Sequence, residues 1–277
     1  MNPIVLATDF SPSASRAAQV AARLAHAGQT ELILLNAYQF WPVNPAKTGD
    51  FPLSSRAMYD ESQRELHHLA SDLRRQIDPD LRLRCLTREG HTRTVIADVT
   101  ATEGAALLVM ATTGTAPQSS RLMGSVATDM VADTNVPLLL IPPGAPLTIP
   151  KNAVLAVNLA APPNALALET ALRFARQCQS VVNVVCVDGH RRSEATRHRA
   201  EQLRTLLVNQ PHTLTLLADE ADSGQPLFST LLQAAREQKA DLLMMLPQPH
   251  NWLENLLFEG ETQRMARLTD MPLLAIR

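Results

Sequence analysis

ALLVMATTGTAPQSSRLMGSVATDMVADTNVPLLLIP (106–142) is the stretch that decides the fold. It opens with an apolar run of strand length, 106–111. A polar stretch holding Gly114 and Gly124 follows, then a helical pattern at 125–135 and a second apolar run at 136–142. Short strands that are apolar throughout point to a parallel sheet, because a strand buried on both faces loses the usual polar/apolar alternation. The chain then repeats this unit. Leu107, Leu108 and Met110 correspond to Leu242, Leu243 and Met245, and Val136-Pro137-Leu138 to Met271-Pro272-Leu273, both at an offset of 135 (242 − 107 and 271 − 136). A repeat that runs without a gap across strand, loop, helix and strand is an internal duplication.

Outward from this unit the same alternation continues. The first half reads as strands at 4–9, 31–37, 81–86, 106–111 and 136–142, with helices at 13–28, 56–77, 92–104 and 125–135. The second half repeats the order, with strands at 153–159, 181–187, 213–218, 241–246 and 272–276. Between them lies IPPGAPLTIPKN (141–152), whose four prolines and one glycine stop regular structure. The expected architecture is α/β: two tandem domains, 1–144 and 151–277, each a five-stranded parallel sheet flanked by helices.

Composition narrows the function classes. The 277 residues are 45% hydrophobic and 19% charged, with a formal net charge of −2. A near-neutral surface has no long-range field to gather polyanions, so neither nucleic acid nor a membrane surface is an expected partner. The opening MNPIVLATDF lacks a basic region before its apolar run, and no segment reaches the 18 or so apolar residues of a membrane span, so a cytoplasmic protein is expected. Cys85, Cys178 and Cys186 each sit in or beside apolar runs and read as reduced buried thiols. Gly-x4-Gly-Lys-Ser/Thr and Gly-x-Gly-x-x-Gly are both missing. His67, His68, His190 and His198 have no partners at metal spacing, and no Ser/His/Asp set converges, so neither a metal site nor a catalytic residue is expected.

The 111–130 segment carries the chemistry. Gly114 lies just beyond a strand's carboxyl end, and Gly124-Ser125 opens the next helix. In parallel α/β sheets ligands bind beyond the carboxyl ends of the strands, and a helix start offers amide hydrogens and a positive dipole end to an anion. Ser125 has a plain alternative role as a helix cap, and Asp9 as a cap for the helix beginning near Ser13.

With Gly114, the nine residues 115–123 and Gly124-Ser125, the segment resembles the nucleotide loop of the universal stress protein family, Gly-x2-Gly-x9-Gly-Ser/Thr, with Ala111 in place of the first glycine. VLATDFSPSASRA, REGHTRTVIADV (88–99) and VPLLLIPP (136–143) extend the resemblance. The resemblance implies two tandem Rossmann-like domains of the adenine nucleotide alpha hydrolase-like type and ATP, with Mg²⁺, as the ligand of the first. It implies that Asp9, after Ala7, contacts the adenosine part and that Ala37 supplies backbone contacts to the base. Met110 and Ala111 then line the ribose and phosphate entrance. Gly114, Gly124, Ser125 and Val126 hold the phosphates, and Arg121 has the charge to reach the terminal ones. At Ala111 a positive φ would cost about 1–2 kcal/mol for any residue with a Cβ, and an ordinary φ almost nothing.

In the second half the marked positions become Leu246, Pro249, Glu259 and Gly260, with Asn158 for Asp9. Proline removes an amide hydrogen, and a glutamate at the helix opening repels a phosphate, so ATP is expected in the first domain only. Three readings follow. The first is a tandem universal stress protein binding ATP in its amino-terminal domain as a nucleotide-responsive stress or signalling module. The second is a scaffold of the same family that binds no nucleotide, and the third is a slow ATPase. The two repeats are expected to pair as an intramolecular pseudo-dimer, with a homodimer as the alternative.

Overall fold

The computed structural model describes residues 2–40, 54–114, 124–159, 164–188, 194–208, 212–218, 227–246 and 271–276. The first repeat runs β1 (Ile4–Ala7), α1 (Pro12–Ala27), β2 (Leu32–Tyr38), α2 (Ser55–Gln76), β3 (Leu83–Glu89), α3 (Thr92–Thr102), β4 (Leu107–Ala111), α4 (Ser125–Asp133) and β5 (Leu138–Ile141). The second runs β6 (Asn152–Asn158), α5 (Ala165–Cys178), β7 (Val181–Asp188), α6 (Glu194–Leu206), β8 (His212–Ala218), α7 (Leu227–Glu237), β9 (Leu242–Met245) and β10 (Leu273–Ala275).

The chain forms two compact units, divided between residues 136 and 137. In the first, β1 pairs in parallel with β2 on one side and β4 on the other, and β3 joins the far edge of β2. The chain order therefore reverses at β1, which places a crevice beyond the carboxyl ends of β1 and β4. In the second, β8, β7, β6, β9 and β10 pair in parallel in that order, the five-stranded sheet read from the sequence. β5, which the repeat assigns to the first domain, groups with the second unit and runs antiparallel to β10, Leu139 opposite Leu274. Its four residues are all buried, as are the three of β10, and pairing two short apolar edges satisfies both backbones.

Local chemistry fixes the helix starts. Ser11 caps α1, its side chain accepting from the Ala14 amide at 3.1 Å with Pro12 at the first helical position. Ser54 and Asn164 cap α2 and α5 in the same way. α1 buries Ala14, Ala17, Ala18, Ala21, Ala22 and Ala25 around Val20 and Leu24, a face of small side chains that lets it approach the sheet closely. It packs against α2 and over β1 and β4, while α3 packs against β2 and α4. β3 extends three residues past the apolar run that marked it, through Thr87-Arg88-Glu89, because an edge strand with an open side tolerates polar residues.

Backbone geometry repeats with the sequence. Gly104 has φ 59° and Lys239, 135 residues on, φ 52°. The amide after each closes the same turn: Ala105 donates to the Thr100 carbonyl at 2.9 Å and Ala240 to that of Ala235 at 2.9 Å.

Candidate functional site

A cavity of about 270 Å³ lies in the first unit beyond the carboxyl ends of its strands. Ala7, Asp9, Ala37, Met110, Ala111, Gly114, Gly124 and Val126 all line it, so eight of the ten residues read from the sequence meet in one place. Ser125 is the first residue of α4, between two of them. Arg121 lies outside the described residues. Reading the sequence missed Thr92 and Ile96 of α3, Leu35 of β2 and Ala14 of α1, which also line the cavity. Leu35 and Ala37 line the cavity together because alternate strand residues share a face. The i, i+4 spacing of Thr92 and Ile96 was the signal that one side of α3 points inward.

Asp9 sits at the turn between β1 and α1. Its Oδ1 accepts from the Ser11 amide at 3.1 Å. Its Oδ2 lies over Gly114 so closely that a Cβ there would collide with it. Because Ser11 is the α1 cap, Asp9 is not needed for capping, and its carboxylate is set instead against the first glycine of the loop. Phe10, next in the chain, has φ 61°, a left-handed conformation that costs a residue with a side chain about 1–2 kcal/mol.

Gly124 is the N-cap of α4, with φ −64° and ψ 150°, so Ser125 is a first-turn residue and not the cap. That backbone suits any residue. A Cβ would meet the Thr112 carbonyl oxygen at 3.7 Å and the Gly114 nitrogen at 3.9 Å, ordinary contacts. Neither conformation nor crowding accounts for this glycine. Its own N–H donates to the Thr112 carbonyl at 2.7 Å. The amides that follow, in the first turn of α4, have no partner within their helix, and glycine has no side chain with which to cap them. Ala111 ends β4 and is not among the residues of positive φ, so alanine there carries no conformational cost.

In the second unit Asn158 ends β6 and Leu246 follows β9, where the repeat places the counterparts of Asp9 and Ala111. Leu246 and Leu159 are buried, and the Leu159 carbonyl accepts from Arg199 at 2.6 Å. Pro249, Glu259 and Gly260 lie outside the described residues, as does His190. The cysteines are free thiols: burial pushes Cys178 and Cys186 up to about 12 and raises Cys85, so they stay protonated and unreactive. Among the described residues no group of His, Cys, Asp and Glu could hold a metal ion, and no helix is long and apolar enough to cross a membrane.

The model of the universal stress protein family matches residues 1–142, and the chain belongs to that family. No curated protein matches the chain. Among solved structures it resembles a universal stress protein from Archaeoglobus fulgidus, with 15% identity and a TM-score of 0.69 over 99% of this chain and 95% of that one. It also resembles a protein of unknown function from Pseudomonas aeruginosa PAO1, with 14% identity and a TM-score of 0.61 over 99% and 92%. Both likenesses show the fold across both repeats. A further universal stress protein from A. fulgidus, solved in complex with dAMP, matches at 19% identity and a TM-score of 0.39 over 50% of this chain and 97% of that one.

Proposed function

We propose that the chain binds ATP, accompanied by Mg²⁺, in its first repeat only, and works as a nucleotide-responsive stress or signalling module. The observation that carries this reading is the joint lining of one cavity by Asp9, Gly114 and the start of α4. Its volume of about 270 Å³ sits near the lower end of ligand pockets, and its lining of alanines with Leu35, Ile96 and Met110 suits a flat apolar base. In this reading Asp9 accepts from the ribose hydroxyls, the backbone at Ala37 meets the base, and Met110 and Ala111 pack against the sugar. The phosphates lie over α4, held by the amides of Ser125 and Val126 and by the helix dipole. Gly124 serves by its missing side chain, and Arg121 reaches the terminal phosphates.

Restriction to one repeat rests on Asn158, Pro249 and Glu259, each of which removes a feature the first repeat has. The reading is tested by equilibrium dialysis with ATP and Mg²⁺. Saturable binding is expected, weakened about tenfold or more in Asp9→Ala by loss of a charge-assisted hydrogen bond. An Asp9→Ala chain that binds like the wild type refutes the assignment. On the same family basis the two repeats are proposed to pair within a monomer, with a homodimer as the alternative. Sedimentation at 30.3 kDa or at twice that mass decides between them.

A further inference from the structure

Directly behind the cavity wall lies a chain of buried polar side chains. Between Leu35 and Ala37, which line the cavity, Asn36 points to the opposite face of the sheet, beneath α2. Its Nδ2 donates to the Thr8 carbonyl at 2.7 Å. Its Oδ1 accepts from the Ser62 hydroxyl of α2 at 2.8 Å. Ser62 has only one proton and gives it to Asn36, so the 2.9 Å contact between Ser62 and Thr87 of β3 is a donation from Thr87. The hydrogen bonds therefore run in one direction, from Thr87 through Ser62 and Asn36 to Thr8. Asn36, Ser62 and Thr87 are 8%, 5% and 3% exposed.

Thr8, at the end of this chain, is held at three atoms. Its N–H donates to the Leu35 carbonyl at 2.9 Å and its carbonyl accepts from Asn36. Its Oγ1 accepts from the Phe10 amide at 3.1 Å. The last contact helps hold Phe10 at φ 61°, in the same turn as Asp9, whose carboxylate lies over Gly114. Backbone strain of this kind persists only where surrounding structure over-determines it.

The second repeat supplies an internal control. Asn36 and Thr87 are cross-strand partners on β2 and β3. Strand register places Cys186 and Leu216, themselves partners on β7 and β8, at the matching positions. That follows because Ile4 pairs with Leu32 and Leu107 where Ala153 pairs with Val182 and Leu242, and Leu32 pairs with Leu83 where Val182 pairs with His212. Thr8 corresponds to Val157. The fold thus accepts an apolar set at these places. Buried polar groups gain little over apolar ones of similar shape, so polar residues at the Thr8, Asn36 and Thr87 positions, where the second repeat has Val157, Cys186 and Leu216, call for a role other than stability.

We infer that Asn36, backed by Ser62 and Thr87, is a positioning residue for ligand recognition: it anchors Thr8 so that the following turn delivers the Asp9 carboxylate against Gly114. This rests on the reading of the cavity as an ATP site. The test is a double-mutant cycle on the full chain, with ATP affinity and thermal unfolding as separate readouts. The triple variant Asn36→Cys, Ser62→Ala, Thr87→Leu copies the second repeat at two positions and leaves none of the three side chains with a severed partner, so that the Thr8 carbonyl alone loses its donor. Its ATP affinity is expected to fall about tenfold, the scale of a lost charge-assisted hydrogen bond. In an Asp9→Ala background the same triple change should alter affinity by less than about twofold, the limit of additivity for independent sites. An equal loss in both backgrounds, or affinity within about twofold of the wild type, overturns the inference. If the triple variant does not fold, Ser62→Ala alone is read by the same cycle, with a smaller loss that again vanishes without Asp9. A wild-type chain that fails to bind ATP overturns the site reading and this inference together, whereas binding insensitive to the triple change overturns this inference alone.

Discussion

Gly124→Glu separates binding from folding. The N-cap backbone at φ −64°, ψ 150° accepts any residue, and the new Cβ would stand 3.7 Å from the Thr112 oxygen, an ordinary contact. A carboxylate at a helix start gains from the dipole, loss of glycine restricts the unfolded chain, and the weaker cap costs stability. Each of these effects is below about 1 kcal/mol, and they oppose one another. The thermal midpoint should therefore move by no more than a few degrees. A bound phosphate feels a far larger effect. At a separation of about 5 Å and an effective dielectric constant of about 20, each unit of phosphate charge is repelled by about 3 kcal/mol. That is more than about a hundredfold in Kd. Calorimetric titration with ATP and Mg²⁺, beside a thermal melt of the same sample, reads both quantities. Wild-type affinity in a folded Gly124→Glu chain would refute the placing of the phosphates at α4, and a variant that unfolds would refute the permissive geometry of the cap.

Gly114→Ala places a methyl group against the Asp9 carboxylate, which must rotate away. Its ATP affinity should fall about as far as that of Asp9→Ala, with little change in unfolding, and a calorimetric titration that matches the wild type would contradict the Asp9–Gly114 arrangement. Lys239 is exposed and left-handed at φ 52°, where its counterpart in the first repeat is glycine, so Lys239→Gly should stabilise the chain by about 0.5–1 kcal/mol in denaturant unfolding. Cys178 and Cys186 are pushed up from 9.0 to about 12, which means folding favours the protonated thiols. Their contribution is fully present below pH 9.0 and is lost as pH rises toward about 12, so denaturation midpoints should fall across that window and a Cys178→Ala, Cys186→Ala chain should show a shallower fall.

Much of this was legible in the sequence because duplication leaves a signal that local propensity does not. The offset of 135 residues located the last strand, loop and helix of each repeat, and it reappears in the paired left-handed turns at Gly104 and Lys239. The family resemblance named eight residues that line one cavity. What stayed hidden depends on contacts between distant segments. The antiparallel partner of β5 is set by which apolar edge is free, and four residues of leucine and isoleucine carry no record of that. The N–H of Gly124 donates to the Thr112 carbonyl, a contact that glycine spacing alone does not show. The cost at Ala111 turned on a backbone angle, and a strand ending there made it small. Asn36 left a usable trace, a lone amide inside LILLNAY, and Ser62 another, a hydroxyl on the buried stripe with Leu66, Ala70 and Leu73. A polar residue at a core position implies a partner, and only the fold identifies Thr8 as that partner.

The stoichiometry of ATP binding to the wild-type chain tests the central claim most directly. Isothermal titration in the presence of Mg²⁺ should show a single class of site with one nucleotide per chain, removed by Gly124→Glu. Two equivalent sites, or no heat of binding at millimolar ATP, would contradict it.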